Sequence, residues 1–304
     1  MSAPESRAPL RIVLGVDGSE HSLAAARLLR DLPLPAGSVI DALGVLTARQ
    51  VPGRAILDTA LEKAGAILQG SPAQVQPGIL HGHPAEALAK FADQCRADLI
   101  VAGAVGLRAT LGILLGGVAQ QLVEYAHWPV LVVRAPYTGL QRVVLVLDGS
   151  PQALRALDYL TRLPLPAGTQ THVLQVIPPI DLAVPIHLES VTMMPMPVEP
   201  SPAAELVAAE QAAREEAEAE ASLAQAAARL QAAGLPATTA VRRGDAAAEI
   251  MAYAQGVDAR LIIAGSRGLS AIAGWLLGSV SRKLVHYAAC SVLLVKPESV
   301  GGAG

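Results

Sequence analysis

The sequence has little of several things that whole classes of protein require. It contains two cysteines, Cys95 and Cys290, far apart in the chain. This excludes a disulfide framework and a metal site built from closely spaced thiolates. We interpret both as buried thiols in a reducing compartment. Aromatic residues make up only 3% of the chain, too few for a surface that stacks the bases of a single-stranded nucleic acid.

Neither sign of charge dominates, and no apolar run is long. The chain has 23 lysines and arginines against 26 aspartates and glutamates, so it lacks the basic surplus that nucleic-acid binding requires. No apolar stretch approaches the roughly 18 residues of a membrane-spanning helix. Residues 1–10 lack the apolar segment of a signal peptide. We therefore expect a cytoplasmic protein that binds neither nucleic acid nor membranes.

The sequence does contain a long internal repeat. It has 304 residues, 52% of them hydrophobic, which is enough for two domains. The segment Leu32–Gly37 (LPLPAG) returns unchanged as Leu163–Gly168, and Trp128–Val133 is matched by Cys290–Val295. A tandem duplication is therefore predicted. The second pair of segments is more widely separated than the first, which indicates that copy two carries an insertion.

The two copies, 8–136 and 140–297, each alternate short apolar segments with helical patterns. The segments are apolar on both faces, as in parallel strands that are covered by helices. Each copy is therefore predicted to be a doubly wound α/β domain. The predicted strands are 11–16, 39–45, 75–80, 99–102 and 130–133 in copy one, and 142–147, 172–177, 238–241, 261–264 and 292–295 in copy two.

The last strand of each copy should lie at the edge of its sheet. Unpaired apolar edges invite association, and a tandem chain can pair its two edges internally. We therefore predict a pseudo-twofold pair of domains within one chain, joined through Val130–Val133 and Val292–Val295. A homodimer of tandem units is compatible with the sequence but cannot be derived from it.

The insertion of copy two lies at about 178–215. Pro178–Pro202 is rich in proline and methionine, which predicts a loop. Ala203–Ala233 is rich in alanine and glutamate and is followed by Gly234, which predicts a long helix. One interpretation is a solvent-exposed helical extension with a loop. The other is a lid over the second site, or an arm that docks an unknown protein partner.

Three features of copy two should meet at the carboxyl edge of its sheet, where doubly wound folds bind ligands. Asp148 follows the first strand, Gly265–Gly268 (GSRG) follows the fourth, and Gly278 and Ser279 open the last helix. A helix start suits phosphate. Ser279 is expected either to cap the helix or to donate its hydroxyl to phosphate, and Arg267 could add a charged contact. The alternative is that the glycines only form turns.

These residues match the pattern G-x2-G-x9-G-(S/T), and the chain resembles the universal stress protein family over nearly its whole length as two tandem domains. The resemblance implies a five-stranded sheet of order 3-2-1-4-5 in each copy, and ATP, with or without Mg²⁺, as the ligand. It implies that Asp148 and Val176 flank the adenosine and that Ala264 lines the nucleotide. The residues that would hold ribose and phosphates are Gly265, Arg267, Gly268, Gly278, Ser279 and Val280.

Copy one departs from the pattern at its phosphate end. Gly117 replaces the hydroxyl residue, and Ala104 and Val105 replace Ser266 and Arg267. One charge-assisted hydrogen bond is worth about 1.5–3 kcal/mol, so nucleotide affinity should be roughly tenfold lower or worse. The candidate binding residues of copy one are Asp17, Val45, Gly103, Gly106, Gly116 and Gly117.

No catalytic set is recognisable. The chain lacks a P-loop and a GxSxG nucleophile motif. The pair His81 and His83 resembles a metal site, but copy two has Arg243 and Asp245 there, which favours a turn. We expect an ATP-binding, nucleotide-responsive regulatory module rather than an enzyme. The alternatives are an interaction scaffold that binds no nucleotide, and an enzyme such as a slow ATPase.

Overall fold

The computed structural model describes residues 8–47, 54–107, 114–180, 202–268 and 277–297. These residues form ten strands and eight helices. The elements of copy one are β1 (Arg11–Gly15), α1 (Glu20–Asp31), β2 (Val39–Leu46), α2 (Arg54–Leu68), β3 (Gln74–His81), α3 (Pro84–Cys95), β4 (Leu99–Gly103), α4 (Gly117–Tyr125) and β5 (Val130–Val133). Those of copy two are β6 (Arg142–Leu147), α5 (Pro151–Arg162), β7 (Gln170–Ile177), α6 (Pro202–Ala232), β8 (Ala237–Arg243), α7 (Ala246–Gly256), β9 (Leu261–Gly265), α8 (Ser279–Tyr287) and β10 (Ser291–Val295).

The strands form one sheet in the order β3-β2-β1-β4-β5-β10-β9-β6-β7-β8. Each copy contributes a parallel unit of order 3-2-1-4-5, which confirms the predicted fold. The units join through β5 and β10, which run antiparallel, with Leu131 opposite Leu293. The predicted pairing of the last strands within one chain is therefore confirmed. Pairing the two edges removes from each copy the apolar edge that would otherwise attract another chain.

Helices cover both faces of this sheet. The core on one face includes buried residues of α1, α2, α5 and α6, and the core on the other face includes those of α3, α4, α7 and α8. Both cores continue across the junction of the two copies, because side chains of β5 and β10 alternate between them. The two copies thus share their hydrophobic cores.

A short turn leads from the first strand of each copy into its first helix. In copy one, the Asp17 Oδ1 atom accepts the Ser19 N–H at 3.0 Å, and Gly18 adopts a positive φ of 83°, which glycine allows without strain. Ser19 then caps α1 by accepting the Ser22 N–H at 3.1 Å. Copy two repeats this arrangement, so the turn places one aspartate at each carboxyl edge.

Helix α6 confirms the predicted long helix and differs from it by one residue at each end. Its C-terminal half packs on the sheet through buried residues such as Leu223 and Leu230. Its N-terminal half extends outward, with Leu206 and Val207 more than 60% exposed. The predicted lid at Pro178–Pro202 lies almost entirely outside the described residues.

The prediction that both cysteines are buried was wrong. Cys95 and Cys290 are both free, but each is only partly buried. Each stands at the end of a secondary structure element, at the C-terminus of α3 and just before β10, where neighbouring segments do not close over it completely. None of the helices in the described part of the chain has the length and apolarity that a membrane span needs.

Candidate functional site

In copy one, Asp17 links the end of β1 to the loop after β4. Its Oδ2 atom accepts the Leu107 N–H at 2.9 Å. A Cβ atom on Gly106 would lie 2.8 Å from that oxygen, so glycine is required for the loop to pass this close. The loop in turn holds the start of α4, because the Gly116 N–H donates to the Ala104 carbonyl at 2.7 Å. The candidate residues Asp17, Gly103, Gly106, Gly116 and Gly117 therefore come together.

A cavity of about 550 Å³ opens between these segments of copy one. The predicted residues of copy one all line it, Val45 among them. Apolar side chains of α2, α3 and α4 complete the wall, and sequence reasoning missed them: Ile56, Leu57, Leu88 and Val118. Their spacing fits ordinary core packing, so the sequence held no signal that they face a cavity.

Copy two repeats the framework of copy one. The Gly278 N–H donates to the Ser266 carbonyl at 2.8 Å, and a Cβ atom on Gly268 would lie 2.5 Å from the Asp148 Oδ2 atom. Asp148, the GSRG loop and the start of α8 therefore meet at one edge, as predicted. Of the other candidates, Val176 lies in β7, Ala264 is buried near the end of β9, and Val280 is the second residue of α8.

Ser279 does not cap helix α8. Gly278 is the N-cap residue, no side chain caps the helix, and Ser279 is its first residue. The capping alternative was therefore wrong, because the loop reaches the helix one residue earlier than a serine cap requires. The hydroxyl of Ser281, two residues on, donates to the Gly265 carbonyl at 2.8 Å and fixes the helix to the glycine loop. Ser279 is thus free of a capping role.

Copy two carries four cations at positions where copy one carries uncharged residues. Arg267 lies in the glycine loop, and Arg282 and Lys283 follow in the first half of α8. Arg242 of β8 is paired in register with Val176. At the corresponding positions, copy one has the uncharged residues Val105, Gln120, Gln121 and Leu80. Sequence comparison of the two copies could have found three of these cations, which motif matching overlooked.

The partners of these cations differ. The Lys283 Nζ atom lies 3.3 Å from Asp245, and the N–H of Ala248 together with Lys283 lowers the pKa of that carboxyl group. The Arg242 guanidinium lies over the Tyr253 ring at 5.2 Å. The Arg267 Nε atom is buried and has no hydrogen-bond partner among the described residues. A buried donor without a hydrogen-bond partner costs free energy, and a ligand or water molecule that accepts from it removes this cost.

His81 and His83 lie at the turn between β3 and α3. His83 is the N-cap residue of α3, and Gly82, with φ of 123°, makes the turn after β3. This confirms the predicted turn. Within the described residues, no cluster of three or more histidine, cysteine, aspartate or glutamate side chains is placed to hold a metal ion.

The geometry can be compared with known proteins. The model of the universal stress protein family matches residues 10–134 and again 139–296. The chain belongs to the universal stress protein family. A universal stress protein of Methanocaldococcus jannaschii is 30% identical over 140 residues, which cover 41% of this chain and 82% of that protein.

Solved structures of the family agree with the fold. The crystal structure of a universal stress protein from Archaeoglobus fulgidus superposes with a TM-score of 0.59 at 20% sequence identity. The matched region covers 94% of this chain and 96% of the Archaeoglobus fulgidus chain. Another universal stress protein was solved in complex with cAMP and is 29% identical in sequence, with a TM-score of 0.32. The matched region covers 42% of this chain and 98% of that protein's chain.

Proposed function

We propose that this universal stress protein binds ATP, mainly in copy two, and acts as a nucleotide-responsive regulatory module. The observation that carries the proposal is the meeting of Asp148, the GSRG loop and the open start of α8 at one sheet edge. This edge is where doubly wound folds bind ligands. In this proposal Asp148 and Val176 flank the adenosine, and the glycine loop and Ser279 hold the phosphates.

The charges around α8 support an anionic ligand. The N-terminus of a helix carries a partial positive charge, and cations placed there are unfavourable. Helix α8 nevertheless has Arg282 at the end of its first turn and no acidic residue in that turn. A triphosphate bound at Ser279 would offset this repulsion and would give the buried Arg267 Nε atom an acceptor.

We propose binding rather than catalysis. Asp17 and Asp148 each use a carboxylate oxygen to accept a turn N–H. Nothing in the described part of either site pairs them with a second carboxylate or with a nucleophile and its base. A dedicated ATPase would also need a group that positions the attacking water. Slow hydrolysis is the enzymatic alternative, and single-turnover assays with ATP would detect it.

The experiment is calorimetric titration of the full chain with ATP. Arg267→Ala and Ser279→Ala should each weaken binding by roughly tenfold, because each removes a hydrogen bond to a charged group. Arg214→Ala is the matched control, since the Arg214 side chain is 82% exposed and pairs with Glu218 on the exposed face of α6. Wild-type affinity in both site variants would contradict the assignment. Native mass spectrometry of the protein as purified would show whether nucleotide is already bound.

A further inference from the structure

The copy one cavity has the size of a ligand site and the wrong chemistry for a phosphate. Its volume of about 550 Å³ lies within the range of about 300–1,000 Å³ of small-molecule pockets. Asp17 is the one charged side chain among the described residues that line it. That charge is negative, so a triphosphate held here would be repelled by Asp17 without a cation to compensate.

The mouth of this cavity is apolar. Ile56 and Leu107 are 57% and 56% exposed, and Val118 is 37% exposed; all three line the cavity. Leu57, Leu88 and Leu115 form deeper parts of the wall. Exposed large apolar side chains that gather around a concave opening are typical of a binding site for an apolar molecule.

Two polar features would orient such a molecule. The Asp17 carboxylate accepts one N–H on each oxygen, and each oxygen retains capacity for a further donor. The start of α4 offers backbone N–H groups, because Gly116 caps the helix without a side-chain hydrogen bond. A ligand hydroxyl can donate to Asp17, and a ligand carbonyl or ether oxygen can accept from the helix.

From the wall, the mouth and the charge we infer that copy one binds an uncharged, mainly apolar small molecule that carries a hydroxyl or amino donor. The two copies then divide their ligands by charge: copy two has the cations Arg267, Arg282 and Lys283 where copy one has Val105, Gln120 and Gln121. The inference stands independently of ATP binding in copy two, because it depends only on residues of copy one.

The test uses Nile red, a neutral dye that fluoresces in apolar surroundings, with the full chain. One dye per chain is expected to bind, and Val118→Asp should weaken binding at least tenfold. Val118 is the second residue of α4, where an acidic residue is compatible with the helix. Val207→Asp on α6 is the matched control: Val207 is 62% exposed and is not among the residues that line the cavity, so dye binding should be unchanged. Ile56→Glu, on a different helix, should repeat the effect of Val118→Asp.

Competition tests the charge preference. 1-Naphthol should displace the dye at concentrations roughly tenfold or more below those of 1-naphthyl phosphate, because the two differ only in the phosphate. Three results would overturn the inference: no dye binding, equal loss in Val118→Asp and Val207→Asp, or equal displacement by both competitors. ATP titration of the same samples tests copy two separately, so failure of one proposal is distinguishable from failure of the other.

Discussion

Arg134 and Lys296 hold the last helix of the opposite copy by its C-terminal end. Arg134 follows β5 and donates to the Val285 carbonyl of α8 at 2.8 Å. Lys296 follows β10 and donates to the Val123 carbonyl of α4. Lys296 is the copy two counterpart of Arg134, and Val285 is that of Val123, so the contacts are related by the pseudo-twofold axis. Cations at helix C-termini satisfy free carbonyls and are favoured by the helix dipole.

Lys296 gives this contact a pH dependence. It is 6% exposed, and burial, followed by the nearby Arg267, lowers its pKa from 10.5 to about 8, against a smaller opposite effect of Glu124. The unfolded chain keeps this proton up to about pH 10.5, whereas the folded chain loses it above about pH 8. The lysine therefore makes the free energy of unfolding rise with pH across this window.

Comparison with Lys296→Met isolates that contribution. Between pH 7.5 and 9.5, the free energy of unfolding of the parent should increase relative to the variant by about 2 kcal/mol. Urea denaturation of both proteins at several pH values measures the difference. A difference that is constant with pH would show that Lys296 is not perturbed in the folded chain.

The pairing of β5 with β10 can be tested by a disulfide across the junction. Leu131 and Leu293 face each other in the antiparallel pair, close enough for a disulfide. Leu131→Cys with Leu293→Cys, in a chain whose native cysteines are replaced by alanine, should crosslink within one chain on oxidative refolding. The product should run as a monomer on a non-reducing gel, and the single-cysteine variants should not crosslink internally. Crosslinks formed only between chains would exclude the intramolecular junction.

Arg243 is predicted to hold the N-terminal half of α6. It donates to the Pro178 carbonyl at 2.9 Å, to Glu215 at 3.0 Å and to the Ala212 carbonyl at 3.1 Å. Arg243→Ala should accelerate hydrogen exchange at residues 205–216 by roughly tenfold or more, with little change at residues 219–230, which pack on the sheet. Arg214→Ala should leave exchange in both segments unchanged. Equal exchange in Arg243→Ala and the parent would show that the contact does not stabilise the helix.

Copy one can be altered toward the family motif. Gly117→Ser restores the hydroxyl at the first residue of α4, and no described residue outside this helix and its chain neighbours lies within 4 Å of the new Cβ atom. Because the cations are still missing, we expect any ATP affinity of copy one to increase by no more than about tenfold and to stay below that of copy two. Two equal sites in the parent would contradict the predicted asymmetry.

The sequence predicted the fold well because its signals are local or repeated. The strands are apolar on both faces, and the LPLPAG repeat revealed the two copies. The sites were predicted less completely. The capping alternative for Ser279 was wrong because the sequence does not show at which residue a loop enters a helix. The contacts of Arg134 and Lys296 join residues of different copies, and only the assembled sheet brings them together.

The most direct test of the account is an ATP titration of Gly278→Asp. The new side chain would place a negative charge where the phosphates are proposed to lie. Its Cβ atom would come no closer than 3.5 Å to any described residue other than its chain neighbours, so the fold should persist. Gly256→Asp serves as the control, because it changes the net charge equally at an exposed position. No described residue outside its own helix and its chain neighbours lies within 4 Å of the new Cβ atom. The account predicts that calorimetry shows at least tenfold weaker ATP binding in Gly278→Asp and parental binding in Gly256→Asp. Parental affinity in Gly278→Asp would contradict it.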